Sequence, residues 1–252
     1  MNRKKTRRDS KSAAVYVPAA AVVIVLLLIF GTNAFLKVMR VEVEGASRYT
    51  DEEIIEAAEI SLGRNLMFID LSAASKRIAG AMPYISGVKM TRMLPDAIRI
   101  EITESTALAF IDFHDDILII DSAGRVLERT DAIPRGLLEI RGFIPVDPEA
   151  GSIMKTELGD EMRLRYLTDV LAALEKSEAR ADVLYIDVAS IGNITVGYTE
   201  RFRVVLGSSN NALHKLDQLP WIVDKINKDN APDETGVINM SDPTGEWRFN
   251  PD

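Results

Sequence analysis

Ala97-Ile98-Arg99-Ile100-Glu101-Ile102-Thr103 alternates side chains at every step, with Ile98, Ile100 and Ile102 on one face and Arg99, Glu101 and Thr103 on the other. A period of two over seven residues is the mark of a half-buried strand. Just upstream, Leu94-Pro95-Asp96 reverses the chain, and the Val88–Arg92 stretch VKMTR repeats the alternation, so the two form neighbouring strands. Further back, Pro83 stops a helix that runs from an Asp70 cap to about Ala81, with Leu71, Ile78 and Met82 supplying its apolar contacts. Before it, Thr50 followed by Glu53 has capping-box spacing and opens a helix Asp51–Ser61, closed by Gly63. Earlier still, Val41 and Val43 alternate with Arg40, Glu42 and Glu44 in a short strand that Gly45 ends. The order strand, helix, helix, strand, strand in so few residues predicts a sheet covered on one face by helices.

Upstream of that unit, 24 uncharged and mostly apolar residues, Ala13–Leu36, follow a tail carrying Arg3, Lys4, Lys5, Arg7, Arg8 and Lys11 against Asp9 alone. At about 1.5 Å per residue this length crosses a hydrocarbon core of roughly 30 Å. Pro18 falls in the first turns, where a missing backbone donor costs little. Basic flanks stay cytoplasmic, so the reading is a single transmembrane helix with the N-terminus inside and everything after Leu36 outside. A cleaved secretory signal is the competing reading; it is disfavoured by an apolar run longer than the usual 7 to 15 residues and by the lack of a small-x-small exit.

Beyond Leu36 remain 216 residues, with 24 basic and 37 acidic side chains and a net charge of −13. Such a charge repels nucleic-acid phosphates and anionic lipid headgroups, which removes nucleic-acid binding and peripheral membrane docking of this portion and leaves proteins as partners. With no cysteine there is no disulfide framework, thiol nucleophile or Cys metal site.

Downstream, about 105 to 241, Ala107–Phe113, Asp116–Asp121 and Arg125–Glu128 read as strands, with Asp121–Gly124 as a tight reversal. A helix from about Asp160 to Ala179 presents Leu164, Leu167, Leu171 and Leu174. Strands return at Val183–Val188, Asn193–Tyr198 and Phe202–Leu206, and a helical stretch Asn210–Lys228 is kinked or broken at Pro220. Gly236–Met240 is the final strand, and Ile140–Gly151 is a connection rich in Pro and Gly.

Chemistry-bearing constellations are few. Gly192-Asn-Ile-Thr-Val-Gly197-Tyr-Thr199 has the spacing of a phosphate-binding loop but lacks its lysine and alternates like a strand. Asp112, Asp115, Asp116 and Asp121 beside His114 could hold a metal or move protons, yet their spacing fits neither a calcium loop nor a zinc site. His214 stands in a helix, and no serine sits in a G-x-S-x-G elbow. The expectation is therefore no catalytic residue, no metal site and no cofactor, with a membrane-tethered envelope hydrolase or transferase, resting on the acidic cluster, as the alternative.

The element order, together with NLMFIDL (Asn65–Leu71), PYISGV (Pro83–Val88) and RMLPDAIRIEITE (Arg92–Glu104), resembles the POTRA domain of the bacterial cell-division family FtsQ/DivIB. ILIIDSAGRVL (Ile117–Leu127), Val204–Gly207, Lys215-Leu216 and Gly236–Ser241 continue the resemblance into that family's β domain. The expected fold class is α+β: a basic tail 1–12, a transmembrane helix 13–36, a POTRA domain 37–104 of order β-α-α-β-β, a mixed β-rich domain with flanking helices 105–241, and a C-terminal tail 242–252.

A strand that comes last in a β domain often lies at an edge, where its free amides and carbonyls can receive another chain's strand. Val237, Ile238, Asn239, Met240 and Ser241 are thus the candidate partner-binding residues. The resemblance implies that this region receives FtsB or its DivIC counterpart, which works with FtsL, and that the assembly controls septal wall synthases; Asn239 stands where the family commonly has Asp. Trp247 either folds back onto the domain with Phe249 or anchors the interface. The implied role is a non-enzymatic, single-pass scaffold of the cell membrane at the division septum.

Overall fold

A computed structural model describes residues 18–25, 36–229, 233–242 and 246–252. Of the expected span, residues 18–25 are helical and exposed; residues 13–17 and 26–35, like the basic tail, lie outside the described residues. Among the described residues no helix is long and apolar enough to cross a membrane. The chain divides into two compact units, the described part of Met1–Ile78 with Gly87–Thr103, and Ala79–Ser86 with the described part of Glu104–Asp252.

Up to Glu104 the chain has the expected order: β1 (Arg40–Glu44), α1 (Asp51–Ala58), α2 (Leu71–Ala81), β2 (Ile85–Met93) and β3 (Ala97–Glu104). β3 is central, between β1 and β2, and pairs with β1 in parallel, Val41 opposite Ile98 and Val43 opposite Ile100. The capping box forms: the Thr50 hydroxyl accepts the Glu53 amide at 3.3 Å, and the Glu53 carboxylate accepts the Thr50 amide at 2.8 Å. The Thr50 amide, and then the Thr50 hydroxyl donating to the same carboxylate at 3.0 Å, hold the Glu53 carboxyl below its ordinary value. α1 ends earlier than the spacing suggests, because Glu59 turns left-handed (φ 52°) and returns its amide to the Glu56 carbonyl. The isoleucine face of β3 is buried, as are Ile54 and Ala58 of α1 and Ala74 and Ile78 of α2. The two helices are tied where the Arg77 guanidinium donates to the Ala58 carbonyl at 2.6 Å.

In the second unit the chain runs β4 (Ala109–Phe113), β5 (Asp116–Ile120), β6 (Val126–Thr130), β7 (Leu138–Arg141), α3 (Glu161–Lys176), β8 (Val183–Asp187), β9 (Ile194–Tyr198), β10 (Phe202–Gly207), α4 (Ala212–Asp229), β11 (Gly236–Asn239) and β12 (Arg248–Pro251). One nine-stranded sheet results, ordered β12-β11-β10-β9-β8-β7-β4-β5-β6. β4–β7, β7–β8 and β10–β11 are parallel; the other five pairs are antiparallel. α3 and α4 lay apolar stripes on the sheet, with Leu167, Leu171 and Leu174 from one and Leu216, Leu219, Ile222 and Ile226 from the other in a single core with Ile140, Ile186, Val196, Val204 and Ile238. α4 continues through Pro220 as one helix. A proline inside a helix costs about 3 kcal/mol. The four α4 side chains buried on both sides of it are worth about 1.5–3 kcal/mol each, so the core wins and, of the kink or break expected at Pro220, the break does not occur.

Two strands were not anticipated. β7 begins before the expected connection Ile140–Gly151 and runs into its first two residues, and it enters the sheet between β4 and β8. β12 lies in the expected C-terminal tail and pairs antiparallel with β11, Ile238 opposite Phe249 and Asn239 opposite Arg248.

Candidate functional site

β11 is not an open edge. Parallel to β10 on one side and antiparallel to β12 on the other, its backbone is paired along both flanks. Ile238 is fully buried and Met240 nearly so, which makes them core residues and corrects the expectation that this strand offers itself to a partner. Asn239 is used locally, its Oδ1 accepting the Ser241 amide at 2.9 Å and the Ser241 hydroxyl at 2.7 Å. Val237 is half-buried and Ser241 exposed.

The edge belongs to β12, the last strand of the sheet. Asp252 donates its amide to the Thr235 carbonyl at 3.2 Å. By the alternation of antiparallel bonding, the amides of Arg248 and Asn250 then face β11, while the Phe249 amide and the donorless Pro251 face outward. Proline at such a position loses no ladder bond. Gly236 lets the strand close in, because a Cβ there would lie 2.4 Å from the Asn250 carbonyl oxygen and 2.8 Å from the Phe249 ring.

Trp247 and Phe249, on the helix side of β12, pack against the core: Phe249 meets Phe202 edge-on at 6.0 Å, and Trp247 meets Trp221 of α4 at 6.2 Å and 88°. The Lys225 ammonium sits 5.6 Å from the Trp221 ring centroid and 5.5 Å from that of Trp247. Trp247 therefore folds back and remains half-exposed, while Trp221 is 58% exposed. A partly exposed tryptophan pair with a cation thus lies beside a strand edge that is unpaired among the described residues. Trp221 and Lys225 escaped the sequence reading; their only signal was an indole on the polar face of a predicted amphipathic helix.

Other groups hold this end together. The Arg201 guanidinium donates to the Glu234 carbonyl at 2.9 Å and to Asn227 Oδ1 at 3.0 Å, joining the end of α4 to the approach to β11. Lys215 donates to the Leu206 carbonyl, and burial pushes its ammonium pKa down. It lines a small cavity of about 200 Å³ with His214, Gln218, Met240 and Ser241. Burial, and then the neighbouring Asp182 carboxylate, which also accepts the Tyr198 hydroxyl, push that phenol up to about 12.

Of the acidic residues near His114, Asp121 and Asp116 have structural tasks, while Asp112 and Asp115 are exposed. Asp121 is buried and accepts the Ser105 hydroxyl at 2.7 Å and the Arg125 amide at 2.8 Å, closing the β5–β6 turn. Asp116 pairs with Arg129 at 2.5 Å. His114, at the hairpin tip with φ 58°, meets the Phe113 ring edge-on. Among the described residues no three His, Cys, Asp or Glu side chains converge as a metal site. The stretch Gly192–Thr199 contains strand β9, with Tyr185 of β8 lying over Gly197 so closely that a Cβ would stand 2.1 Å from the ring.

Residues 36–105 match the family of FtsQ-type POTRA domains. The chain is 28% identical over 199 residues to the cell division protein FtsQ of Streptomyces bingchenggensis, covering 79% of this chain and 72% of that one. It is 26% identical over 208 residues to the cell division protein DivIB of Clostridium tetani, covering 82% and 77%. A solved structure of the major extracytoplasmic domain of DivIB from Geobacillus stearothermophilus aligns at 12% identity over 51% of this chain and 98% of that one, with a TM-score of 0.33, too low to bear on the fold. The resemblance read from the sequence to FtsQ and DivIB is thus shown, with a POTRA domain followed by an α+β unit built on a large sheet.

Proposed function

We propose that this chain is a non-enzymatic, bitopic scaffold of the bacterial divisome, held in the cell membrane by the Ala13–Leu36 helix with its bulk outside the cytoplasm at the septum. Its division role is supported by relatives named as cell division proteins. The single observation that carries the mechanism is the outer side of β12, unpaired among the described residues, next to Trp221 and Trp247. A partner of the FtsB or DivIC type, working with an FtsL-type protein, adds a strand to β12; main-chain hydrogen bonds supply affinity and the indoles supply the anchor. The docked assembly then positions septal wall synthases, to which the chemistry belongs. Trp247 is retained from the sequence reading as a binding residue, whereas Val237–Ser241 act behind it by supporting β12.

The test is co-purification of the full chain, in detergent, with an FtsB- or DivIC-type ectodomain. Wild type is expected to retain the partner, and Trp221→Ala with Trp247→Ala to release it without loss of fold. Retention by that double variant, or failure of the folded wild type to bind, would sink the docking proposal.

A further inference from the structure

Every large hydrophobic side chain exposed on the first unit after Leu36, among the described residues, lies at one end of it: Met39, Leu62, Met67, Phe68 and Leu94. Phe68 is 75% exposed and Leu94 68%. Backbone bonds bring their three segments together. Val38 donates its amide to the Arg64 carbonyl at 2.9 Å and accepts that of Gly63 at 2.8 Å; Met39 donates to the Asp96 carbonyl at 2.8 Å. Arg92 clamps the turn that carries Met67 and Phe68, its guanidinium reaching the Leu66 carbonyl at 2.9 Å and the Ile69 carbonyl at 2.6 Å. Isolated exposed apolar residues mean nothing, but a segregated group of five marks a contact surface.

Position identifies what covers it. The Leu66 amide donates to the Leu36 carbonyl at 2.8 Å, so the rim surrounds the point where the chain leaves its 24-residue apolar run. Exposed Lys37 and Arg64 stand among the apolar side chains. Apolar tips with cations on long aliphatic stems suit the boundary between headgroups and acyl chains, where the stems lie along apolar surface and the charges reach phosphate. The acids nearby are occupied: Asp96 pairs with Arg40 at 3.7 Å, and Asp70 accepts the Ala73 amide at 3.0 Å.

We propose that this rim enters the lipid–water interface and seats the first unit on the bilayer. The inference rests on Ala13–Leu36 being a membrane span, and it adds a second, peripheral contact. A net charge of −13 had argued against any such contact. Screening confines surface charge to about 8–10 Å, so the local rim decides rather than the distant acids.

The absence of cysteine permits single nitroxide labels on the full chain. Phe68→Cys, Leu94→Cys, Ile24→Cys and, as a water control, Leu158→Cys, which is 99% exposed, are each labelled and reconstituted into phosphatidylcholine–phosphatidylglycerol vesicles. Relaxation by a water-soluble nickel chelate is compared with that by dissolved oxygen. Labels at 68, 94 and 24 are expected to lose nickel contact and gain oxygen contact relative to 158. If 24 lies in lipid while 68 and 94 match 158, the rim proposal alone falls. If 24 also matches 158, the anchor falls and the rim with it. Mutual spin broadening at 68 without a gain in oxygen contact makes a second copy the occupant and overturns the lipid assignment.

Discussion

The two ends of the nine-stranded sheet are managed in opposite ways. At β6, a returning segment closes the start of the strand: Val126 donates to Ser152, Gly151 donates to Val126, and Arg125 bridges to Ile153. Its exposed remainder carries Glu128, held by the Tyr84 hydroxyl at 2.8 Å, and Arg129, paired with Asp116. At β12 the strand is four residues long, with tryptophan packed on tryptophan behind it and an outward row that nothing among the described residues covers. Charge and a covering segment are how an edge is kept from unwanted pairing. Among the described residues only β6 has such a covering segment; β12, which carries the exposed Arg248 and the outward Pro251, has none, and that difference supports β12 as the surface for a partner.

The largest effect should come from behind that open edge. Ile238→Ala empties a fully buried site in β11 and should cost about 2–5 kcal/mol in urea unfolding. A change within error would mean that β11 is a peripheral strand after all. Next, Trp221→Ala with Trp247→Ala should weaken binding of an FtsB- or DivIC-type ectodomain by about 2 kcal/mol or more, roughly 30-fold, as read by titration calorimetry. Gly236→Val drives a side chain into the Asn250 carbonyl and the Phe249 ring; it should cost about 1–3 kcal/mol and raise amide exchange in β12 before the rest of the sheet. The smallest change belongs to the closed end. Arg129→Ala removes an exposed ion pair worth about 0–1 kcal/mol and should leave partner affinity unchanged. If it alone abolished binding, the two edges would have to exchange roles.

Much of the fold was legible because it is local. The Thr50–Glu53 box, the isoleucine face of β3 and the leucine stripe of α3 are each written in a few consecutive turns or steps, and each stands where the pattern puts it. The candidate site was less legible. Ile238 and Asn239 read equally well as an edge strand or an inner one, since alternation tells which side chains face the core and not which backbone flank is free. Trp247 and Phe249 do alternate with Arg248 and Asn250, but four residues after a polar stretch are too few to announce a strand.

The sequence by itself determined the order of most elements, the apolar run before Leu36, the acidic balance after it and the likeness to a division family, all consequences of short-range pattern and composition. Tertiary structure alone decided that Leu138–Arg141 slots between β4 and β8, that β12 covers β11, and that Trp221 meets Trp247 across 26 residues of chain. Those choices depend on which distant surfaces bury one another best. That free energy belongs to pairs of remote segments and is absent from either segment read alone.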